Sequence, residues 1–418
     1  MDMARVSGRS PQRPGPVAGG PGANGPLVLA INSGSSSLKV GVYCYRDGDV
    51  FALLSGSVSG VGRTDGRLKL EDAEGKELLN RQYTLPSQRE ALGEMMRALA
   101  VTAPGEVAAV GHRVVHGGPH LTEHQRITQE VVETLRESVH FAPLHIPPAL
   151  ALIEATEELL PGVPQFACFD TAFHATIPAV AHHYAVPERF YEQGLRRYGF
   201  HGLSYESILH RLRAENGGEV PKRIVCAHLG SGASLAAVLE GKSVDTSMGL
   251  TPLGGVPMSS RPGDLDPGVV LYLLRAGQFT ADALEEVLNH QSGLYALSGG
   301  ETAMQALVEA RAQGGPRATL AVEAFAMSVR KFIGAYAAVL GGVDLLIFSG
   351  GIGEHSAEVR GLCCEGLEML GIHTNDAEGG SGKVRVMQAE EEMQIARHCF
   401  RLANLSEEVS TAKEHAAP

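Results

Sequence analysis

Two arginines stand where their side chains could bind a phosphate or a carboxylate. Arg113 follows an apolar segment, EVAAVG, and precedes paired glycines in GHRVVHGG (111–118). Arg261 lies in SSRPGDLDPG (259–268), a turn rich in glycine and proline with aspartates that could orient it. A guanidinium donates paired N–H groups to anionic oxygens, and two of them suit a transferring phosphoryl group. Taken alone, each fits a surface arginine paired with a nearby acid equally well.

Three further side chains could act beside these arginines. Asp170 ends an apolar strand in FDTAFH and could bind Mg²⁺, orient an arginine or serve as a base, three roles that the residues alone leave open. His201 in YGFHG could donate to a developing oxyanion, and His145 lies in another loop segment, APLHIPP. The chain contains neither HExxH nor GxSxG, which disfavours a zinc-dependent or serine-dependent hydrolase.

Three loops of small residues could bring backbone N–H groups close to a phosphate. They are SGSSSLK (33–39), where Lys39 adds a cation, GSGAS (230–234) and SGGIG (349–353). The first is not a Walker A loop, because a strand and not a helix follows it. A late segment, AEEEMQIARHC (389–399), opens a helix with acids that either complement the helix dipole or reach a Mg²⁺ ion.

These groups need a framework, and the hydrophobic pattern predicts an α/β one. Strands at 27–32 and 38–45 flank the first loop, and strands at 223–229 and 235–240 flank the second, which indicates two duplicated units. The segment 336–354 predicts a helix, a glycine turn, a strand and a glycine-rich loop. Helices are predicted at 87–101, 127–138, 147–159, 204–215, 281–290, 302–312, 317–340, 356–368 and 389–403.

Composition limits the possible partners. The chain has 418 residues, a formal charge of −12 and no dense Lys/Arg run, so nucleic-acid binding is not expected. Six scattered cysteines without metal-site spacing predict reduced thiols in a cytoplasmic protein. Residues 1–26 lack an apolar core and predict a disordered extension, and glycines and an aspartate interrupt the apolar stretch 332–349, so no membrane span is expected.

The motifs together resemble one family, the acetate and propionate kinases, of the superfamily that includes actin, sugar kinases and heat-shock ATPases. The resemblance runs from about residue 27 to 405. Its segments, in order, are INSGSSSLK, GHRVVHGG, APLHIP, FDTAFH, RRYGFHGLSY, HLGSGAS, MGLTPLGGVPMSSRPGDLDPG and SGGIGE. It implies two ribonuclease-H-like domains with an active-site cleft between them, a homodimer, and reversible, Mg²⁺-dependent transfer of the ATP γ-phosphoryl group to acetate; Mn²⁺ is an alternative metal.

The resemblance also implies roles for individual residues. The catalytic positions are Arg113, His145, Asp170, His201 and Arg261. Arg113 also belongs to the substrate site, where Val115, Leu144, Phe200 and Pro252 would surround the acyl methyl group. Asn32 and Glu391 match the metal positions. The nucleotide positions are Ser35, Ser37, Lys39, His228, Leu229, Gly230, Ser231, Gly232, Gly351, Ile352, Gly353, Glu354 and His355.

The implied domains divide the chain unequally. Domain I comprises 27–172 with 393–418, and domain II, which would bind nucleotide and form the dimer, comprises 173–392. Because acetate is already ionised at pH 7, Asp170 needs no role as a base, and an orienting or Mg²⁺-linked role is preferred.

The chain departs from the family pattern at four places. Ser231 and Ile146 replace asparagines, and His355 also replaces the usual residue. The Asp-x-Arg step that contacts the nucleoside is Ala303–Met304–Gln305 in this chain. We therefore expect phosphoryl transfer with weak or relaxed nucleotide selectivity. A preference for propionate or butyrate, a donor other than ATP, and a non-catalytic nucleotide-binding protein remain alternatives.

Overall fold

The computed structural model describes residues 25–34, 37–103, 105–277, 279–373 and 382–405. The predicted N-terminal extension lies outside these residues apart from its last two positions, and so does Ser35. The end of the predicted domain I, from residue 406 onward, also lies outside them.

A mixed eight-stranded sheet occupies the first part of the chain, in the order β5-β4-β3-β2-β1-β6-β8-β7. Its inner strands are apolar runs buried on both faces, as expected where helices cover a sheet. β1 pairs antiparallel with β2 and parallel with β6, which pairs parallel with β8. The strands are β1 Leu27–Ser33, β2 Ser37–Arg46, β3 Asp49–Ser59, β4 Arg63–Asp72, β5 Glu77–Leu85, β6 Val107–Val114, β7 Gln125–Arg126 and β8 Gln165–Phe169.

A five-stranded sheet follows, in the order β11-β10-β9-β12-β13. Its strands are β9 Arg223–Leu229, β10 Ala233–Leu239, β11 Lys242–Thr246, β12 Leu345–Ser349 and β13 Val384–Val386. Strand order and direction repeat those of β3-β2-β1-β6-β8, since β9 pairs antiparallel with β10 and parallel with β12. The predicted duplication and the α/β class are thereby confirmed.

All nine predicted helices are present, and several short helices accompany them. The helices are α1 Gln88–Thr102, α2 Gln129–Glu137, α3 Ile146–Leu159, α4 Ala179–His182, α5 Glu188–Glu192, α6 Gly202–Glu215, α7 Pro267–Arg275, α8 Ala281–His290, α9 Gly293–Ser298, α10 Met304–Ala312, α11 Pro316–Leu340, α12 Gly350–His355, α13 Ala357–Cys364 and α14 Glu391–Leu402. The helix predicted at 356–368 ends early, at Cys364, two residues before Gly366, whose φ of +75° is left-handed.

One prediction about the third small-residue loop was wrong. Residues 350–355 form the short helix α12 and not a glycine-rich loop. Gly350 has a φ of +73°, which lets the chain turn directly from β12 into the helix, and its N–H donates to the Glu354 carboxylate. Glycines that suggested a loop therefore permit a tight strand-to-helix turn.

The last helix returns to the first sheet. α14 packs against β1 and β6, burying Ile395, Cys399 and Phe400, although it follows the second sheet in the chain. The apolar stretch 332–349 forms the end of α11 and the buried strand β12, as predicted. Among the described residues, no helix combines the length and apolar character that a bilayer span requires.

Candidate active site

Arg113 and Asp170 meet at the carboxyl end of the first sheet. β6 and β8 are parallel neighbours, so the end of one strand and the residue after the other lie side by side. Arg113 Nε lies 3.0 and 3.1 Å from the two Asp170 oxygens, and Nη2 lies 2.6 Å from Oδ2. The Asp170 side chain is 1% exposed and that of Arg113 is 16% exposed. This paired donation fixes the plane of the guanidinium and leaves its remaining N–H groups for other partners.

Burial and charge act in opposite directions on this pair. Burial raises the pKa of Asp170 above its ordinary value, while the charge and the N–H groups of Arg113 lower it. Asp170 is also fixed by its backbone, because its N–H donates to Val114 O and its C=O accepts from Gly202 N–H. A Cβ on Gly202 would lie 2.3 Å from the Asp170 carbonyl oxygen, so this position needs glycine. The geometry agrees with the orienting role for Asp170.

The predicted metal positions lie beside this pair. Arg113 Nη1 donates to Asn32 Oδ1 at 3.1 Å. The Asn32 amide nitrogen donates to Glu391 Oε2 at 2.9 Å and to Glu392 Oε1 at 2.8 Å. Although burial raises the pKa of Glu391, Arg113 and other nearby cations lower it below its ordinary value, so this carboxylate is ionised. The Glu391 and Glu392 carboxylates are hard oxygen ligands that fit Mg²⁺ or Mn²⁺, whereas the Asn32 amide oxygen would join them only after leaving Arg113.

The turn between β9 and β10 meets α12 at the end of the second sheet. His228 pairs in register with Ser349, the residue that precedes α12. A Cβ on Gly230 would lie 3.9 Å from both Gly351 N and His228 Nε2. The backbone of the second and third small-residue segments therefore comes together, as the sequence predicts. Nothing lies within 4 Å of the Cβ position of Gly351, so its backbone faces open space.

His201 reaches this turn from the first residues of α6. It has a left-handed backbone, with φ 60° and ψ 25°, and immediately precedes the helix. Its ring stacks on His228 at 4.4 Å, and its Nε2 lies 3.2 Å from the Cβ position of Gly232. Burial, followed by the charges of His228, Arg113 and Arg261, places the pKa of His201 well below its ordinary value. The ring is neutral at pH 7, with Nε2 directed at the glycine turn.

Two residues that the sequence did not single out hold the other side of this ring. Ser234 Oγ lies 2.8 Å from His201 Nδ1. Tyr205 Oη lies 2.6 Å from the same Oγ and 2.9 Å from the Ser234 carbonyl oxygen, so its one O–H can donate toward either. Ser234 thus sits between a phenol and an imidazole, and the direction of its O–H decides which ring nitrogen of His201 carries the proton.

Arg261 and His145 face the Arg113 pair. Arg261 Nη1 donates to Pro252 O at 3.2 Å, and burial followed by the charge of Arg113 lowers the pKa of Arg261. Burial, followed by the charges of Arg261 and Arg113, lowers the pKa of His145 to about 4. The Arg261 loop is tied to the glycine turn, because Ser259 N–H donates to Ser231 O at 3.2 Å. The five predicted catalytic residues therefore form one cluster.

The four residues predicted to form the acyl pocket differ in their burial. Phe200 and Pro252 are buried, and Val115 packs against the core cluster that contains Phe200. Leu144 is 48% exposed and precedes His145 at the start of α3. Val115 is thus half-buried and Phe200 and Pro252 are buried, so these three could form an apolar wall, while Leu144 lies at the surface.

The predicted nucleotide residues divide by exposure. Ser37 is half-buried, and Lys39 is mostly exposed with its ammonium 3.7 Å from Glu392 Oε1. On the second sheet Leu229 and Gly353 are buried, Ser231, Gly351 and His355 are exposed, and His228, Gly230, Gly232, Ile352 and Glu354 are half-buried.

The residues at the expected nucleoside step carry no charge. Ala303 caps α10, the Met304 side chain is buried, and Gln305 bonds to Glu309. No charged side chain therefore stands at these three described positions, in agreement with the departure noted in the sequence.

We expect the Tyr205 O–H to donate to Ser234 Oγ, the shorter of its two contacts, which leaves the Ser234 hydroxyl proton to donate to His201 Nδ1. The neutral ring then carries its proton on Nε2, toward the glycine turn. Nitrogen-15 NMR of the histidine rings measures this tautomer. In Ser234→Ala the two tautomers should mix, whereas Ser207→Ala, which removes a buried hydroxyl bonded to Ser204 O, should leave the His201 signal unchanged. A wild-type ring protonated on Nδ1 would contradict the expectation.

The chain matches known proteins over most of its length. Residues 27–397 match the family model described as the Acetokinase family. An acetate kinase of Geobacillus kaustophilus is 40% identical over 395 residues, covering 90% of this chain and 99% of that protein. The crystal structure of Porphyromonas gingivalis acetate kinase matches with a TM-score of 0.79 at 36% identity, and that of a Francisella tularensis propionate kinase with 0.83 at 30%, each covering 90% of this chain and 100% of the other. The chain therefore belongs to the acetate kinase family.

Proposed function

We propose that this chain catalyses reversible transfer of the ATP γ-phosphoryl group to acetate, giving acetyl phosphate and ADP. The observation that carries the proposal is the Arg113 guanidinium, held by Asp170 and facing Arg261 beside a glycine-lined turn. Two cations so fixed suit an anionic acceptor and the equatorial oxygens of a transferring phosphoryl group. Membership of the acetate kinase family supports the same reaction.

The reaction needs positioning more than proton transfer. Acetate is ionised at neutral pH, so its oxygen attacks without a base, and Asp170 acts by orienting Arg113. Arg261 and Arg113 neutralise charge on the phosphoryl oxygens, and neutral His201 donates from Nε2 to the same group. His145, whose pKa is about 4, stays uncharged and adds no repulsion to the two arginines. Because these groups are already held in place, they need to move little during the reaction, and the free-energy cost of reorganising them is small.

Asn32 and Glu391 would hold the divalent ion, with Glu392 as a third oxygen donor. When bound, Mg²⁺ neutralises charge on the nucleotide phosphates and helps to orient them. The small-residue segments on the second sheet, together with Ser37 and Lys39, would bind the nucleotide.

Acyl preference follows from the wall formed by Val115, Phe200 and Pro252. Such a wall distinguishes one methylene by about 1–3 kcal/mol, so propionate should be a poorer but real substrate. The Francisella tularensis structure is that of a propionate kinase, and propionate is therefore the second candidate acyl substrate. A hydroxamate assay over acetate, propionate and butyrate ranks the three.

Replacing Arg113 tests the assignment of the site. Arg113→Ala should lower kcat/KM for acetyl phosphate formation by about 100-fold or more, because a preorganised charged donor is lost. Arg113→Lys, which keeps the charge without the paired N–H groups, should recover only part of the rate. Arg136→Ala, at a surface ion pair with Glu154, is the matched control and should retain wild-type rates. An active Arg113→Ala enzyme would refute the assignment.

The uncharged nucleoside step leads to a second expectation. Without charged hydrogen-bonding groups at Ala303 and Gln305, KM for ATP should be high and within about tenfold of that for GTP. Initial rates with ATP, GTP and pyrophosphate measure this. The double change Ala303→Asp with Gln305→Arg should lower KM for ATP by about tenfold, while Arg311→Gln, on the same helix and in an ion pair with Glu358, serves as the control. A low KM for ATP alone in the wild type would contradict the expectation.

We propose that α7 forms part of a homodimer interface. Its sequence, PGVVLYLLR, is apolar, yet none of its side chains is fully buried among the described residues, only Val270 and Leu273 are half-buried, and Tyr272 is 66% exposed. A helix of this composition is normally covered, and a second copy of the chain is the proposed cover. The two predicted domains and a cytoplasmic location complete the proposal; the six cysteines are buried and form no disulfide within the described part of the chain, which supports the latter.

Sedimentation measures the oligomeric state directly. The wild type should sediment as a dimer, and Leu271→Glu with Tyr272→Glu should weaken the dimer by at least tenfold, because both changes place charge in an apolar contact. The matched control, Val180→Glu, alters a 94% exposed apolar residue on α4 and should leave the dimer intact. A monomeric wild type would contradict the interface.

A further inference from the structure

A cluster of two histidines and a glutamate lies behind the proposed catalytic residues. His124, Glu206 and His398, here called the Glu206 cluster, come from the segment before β7, from α6 and from α14. Both Glu206 oxygens lie 3.2 Å from His124 Nε2, and Oε2 lies 2.8 Å from His398 Nε2. The side chains are 6, 19 and 12% exposed, respectively.

The hydrogen bonds assign the protons in the cluster. Phe169 N–H donates to His124 Nδ1 at 3.0 Å, so Nδ1 carries a lone pair and the ring proton sits on Nε2, toward Glu206. A metal ion at Nε2 would need the lone pair that this proton occupies. The geometry therefore favours a carboxylate that accepts N–H groups over a metal centre.

His398 donates to the same carboxylate. The Gln394 side-chain amide lies 3.0 Å from His398 Nε2, and a half-turn of this amide presents its oxygen, which accepts from the same N–H. Burial alone would raise the pKa of Glu206, but the N–H groups of His124 and His398 lower it to about 2. Glu206 is thus ionised at neutral pH, with a histidine donor on each side.

The cluster contacts three elements that each lie beside or carry a residue of the proposed site. Phe169, whose N–H is bound by His124, directly precedes Asp170. Glu206 lies little more than one turn along α6 from His201, and His398 lies two turns along α14 from Glu391. The cluster therefore links the end of β8, the start of α6 and the start of α14.

We propose that Glu206 is a positioning residue for phosphoryl transfer. Together with His124 and His398, it would keep Asp170, His201 and Glu391 at fixed positions relative to one another. The inference rests on the proposed function, because it is the transfer reaction that needs these relative positions. Displacements of about 1 Å in catalytic groups cost roughly 100-fold in rate, so loss of the link should appear in kcat.

Variants at two positions test the link. Glu206→Gln leaves an amide that can accept from only one histidine, and His398→Leu removes one donor; both should lower kcat about 10- to 100-fold and raise the apparent KM for Mg²⁺. His398→Gln keeps an N–H donor and should recover most of the lost rate. Asp344→Asn, which weakens the ion pair with Arg223 at the opposite end of β12, is the control and should keep kcat within about twofold of wild type even where the thermal midpoint falls.

The outcomes separate the alternatives. Wild-type kcat and Mg²⁺ dependence in both Glu206→Gln and His398→Leu would overturn the proposal. So would one equivalent of metal in the purified wild type, detected by mass spectrometry and absent from Glu206→Gln, because it would mean that a metal joins the three residues.

An inactive wild type would instead refute the proposed function, and the cluster is then judged by amide hydrogen exchange. Faster exchange at 166–170 and in the first turns of α6 and α14 in Glu206→Gln, with Asp344→Asn unchanged, would support the link. Unchanged exchange would overturn it.

Discussion

The ion pair between Arg113 and Asp170 is the contact on which the rest of the site depends. Removing two charges from water costs several kcal/mol for each ion, and this cost is offset only while the charges face one another with their hydrogen bonds made. Asp170 satisfies this condition from a position joined by its backbone to both β6 and α6. The strand end and the helix that carries His201 therefore cannot move apart without leaving a buried charge uncompensated.

The two sheets repeat the same strand order but contribute different chemistry. The carboxyl ends of β1, β6 and β8 supply side chains: an amide, a guanidinium and a carboxylate. The ends of β9 and β12 supply backbone from a glycine turn and a short helix. In open α/β sheets the carboxyl ends of strands form the binding crevice. After duplication, one copy thus presents charges and the other presents N–H groups to the same space.

The sequence predicted the elements that carry strong local signals. α1 spans 88–102 against a predicted 87–101, with Ser87 as its cap. The meander β3–β5 was not predicted, because buried and exposed residues alternate regularly over only part of β3 and β4 and not over β5. α12 was predicted as a loop, since three glycines outweigh helix propensity when the turn from Gly350 and the cap from Glu354 are unknown.

Site residues within recognisable motifs could be predicted from the sequence. Residues whose role depends on a hydrogen bond to a partner far away in the sequence could not. Arg113, Asp170 and His201 stand in recognisable segments. Ser234 and Tyr205 also lie in such segments and Glu206 directly follows one, but their roles could not be predicted, because a hydroxyl or carboxylate within a helix or strand looks ordinary until its partner in another element is known. Ser234 meets His201 across 33 residues, and Glu206 meets His398 across 192. No spacing rule reaches over such distances.

The bond between Asn32 and Glu391, 359 residues apart, has a consequence for synthesis on the ribosome. A chain emerging from its N-terminus first completes β1 and β6 long before α14, at roughly 5–20 residues per second. Until then the face of the first sheet that Ile395, Cys399 and Phe400 cover remains open, and its apolar surface is available to chaperones. The nascent chain gains Glu391 and Glu392, the carboxylates of the proposed metal site, only after all the strands of both sheets have been synthesised.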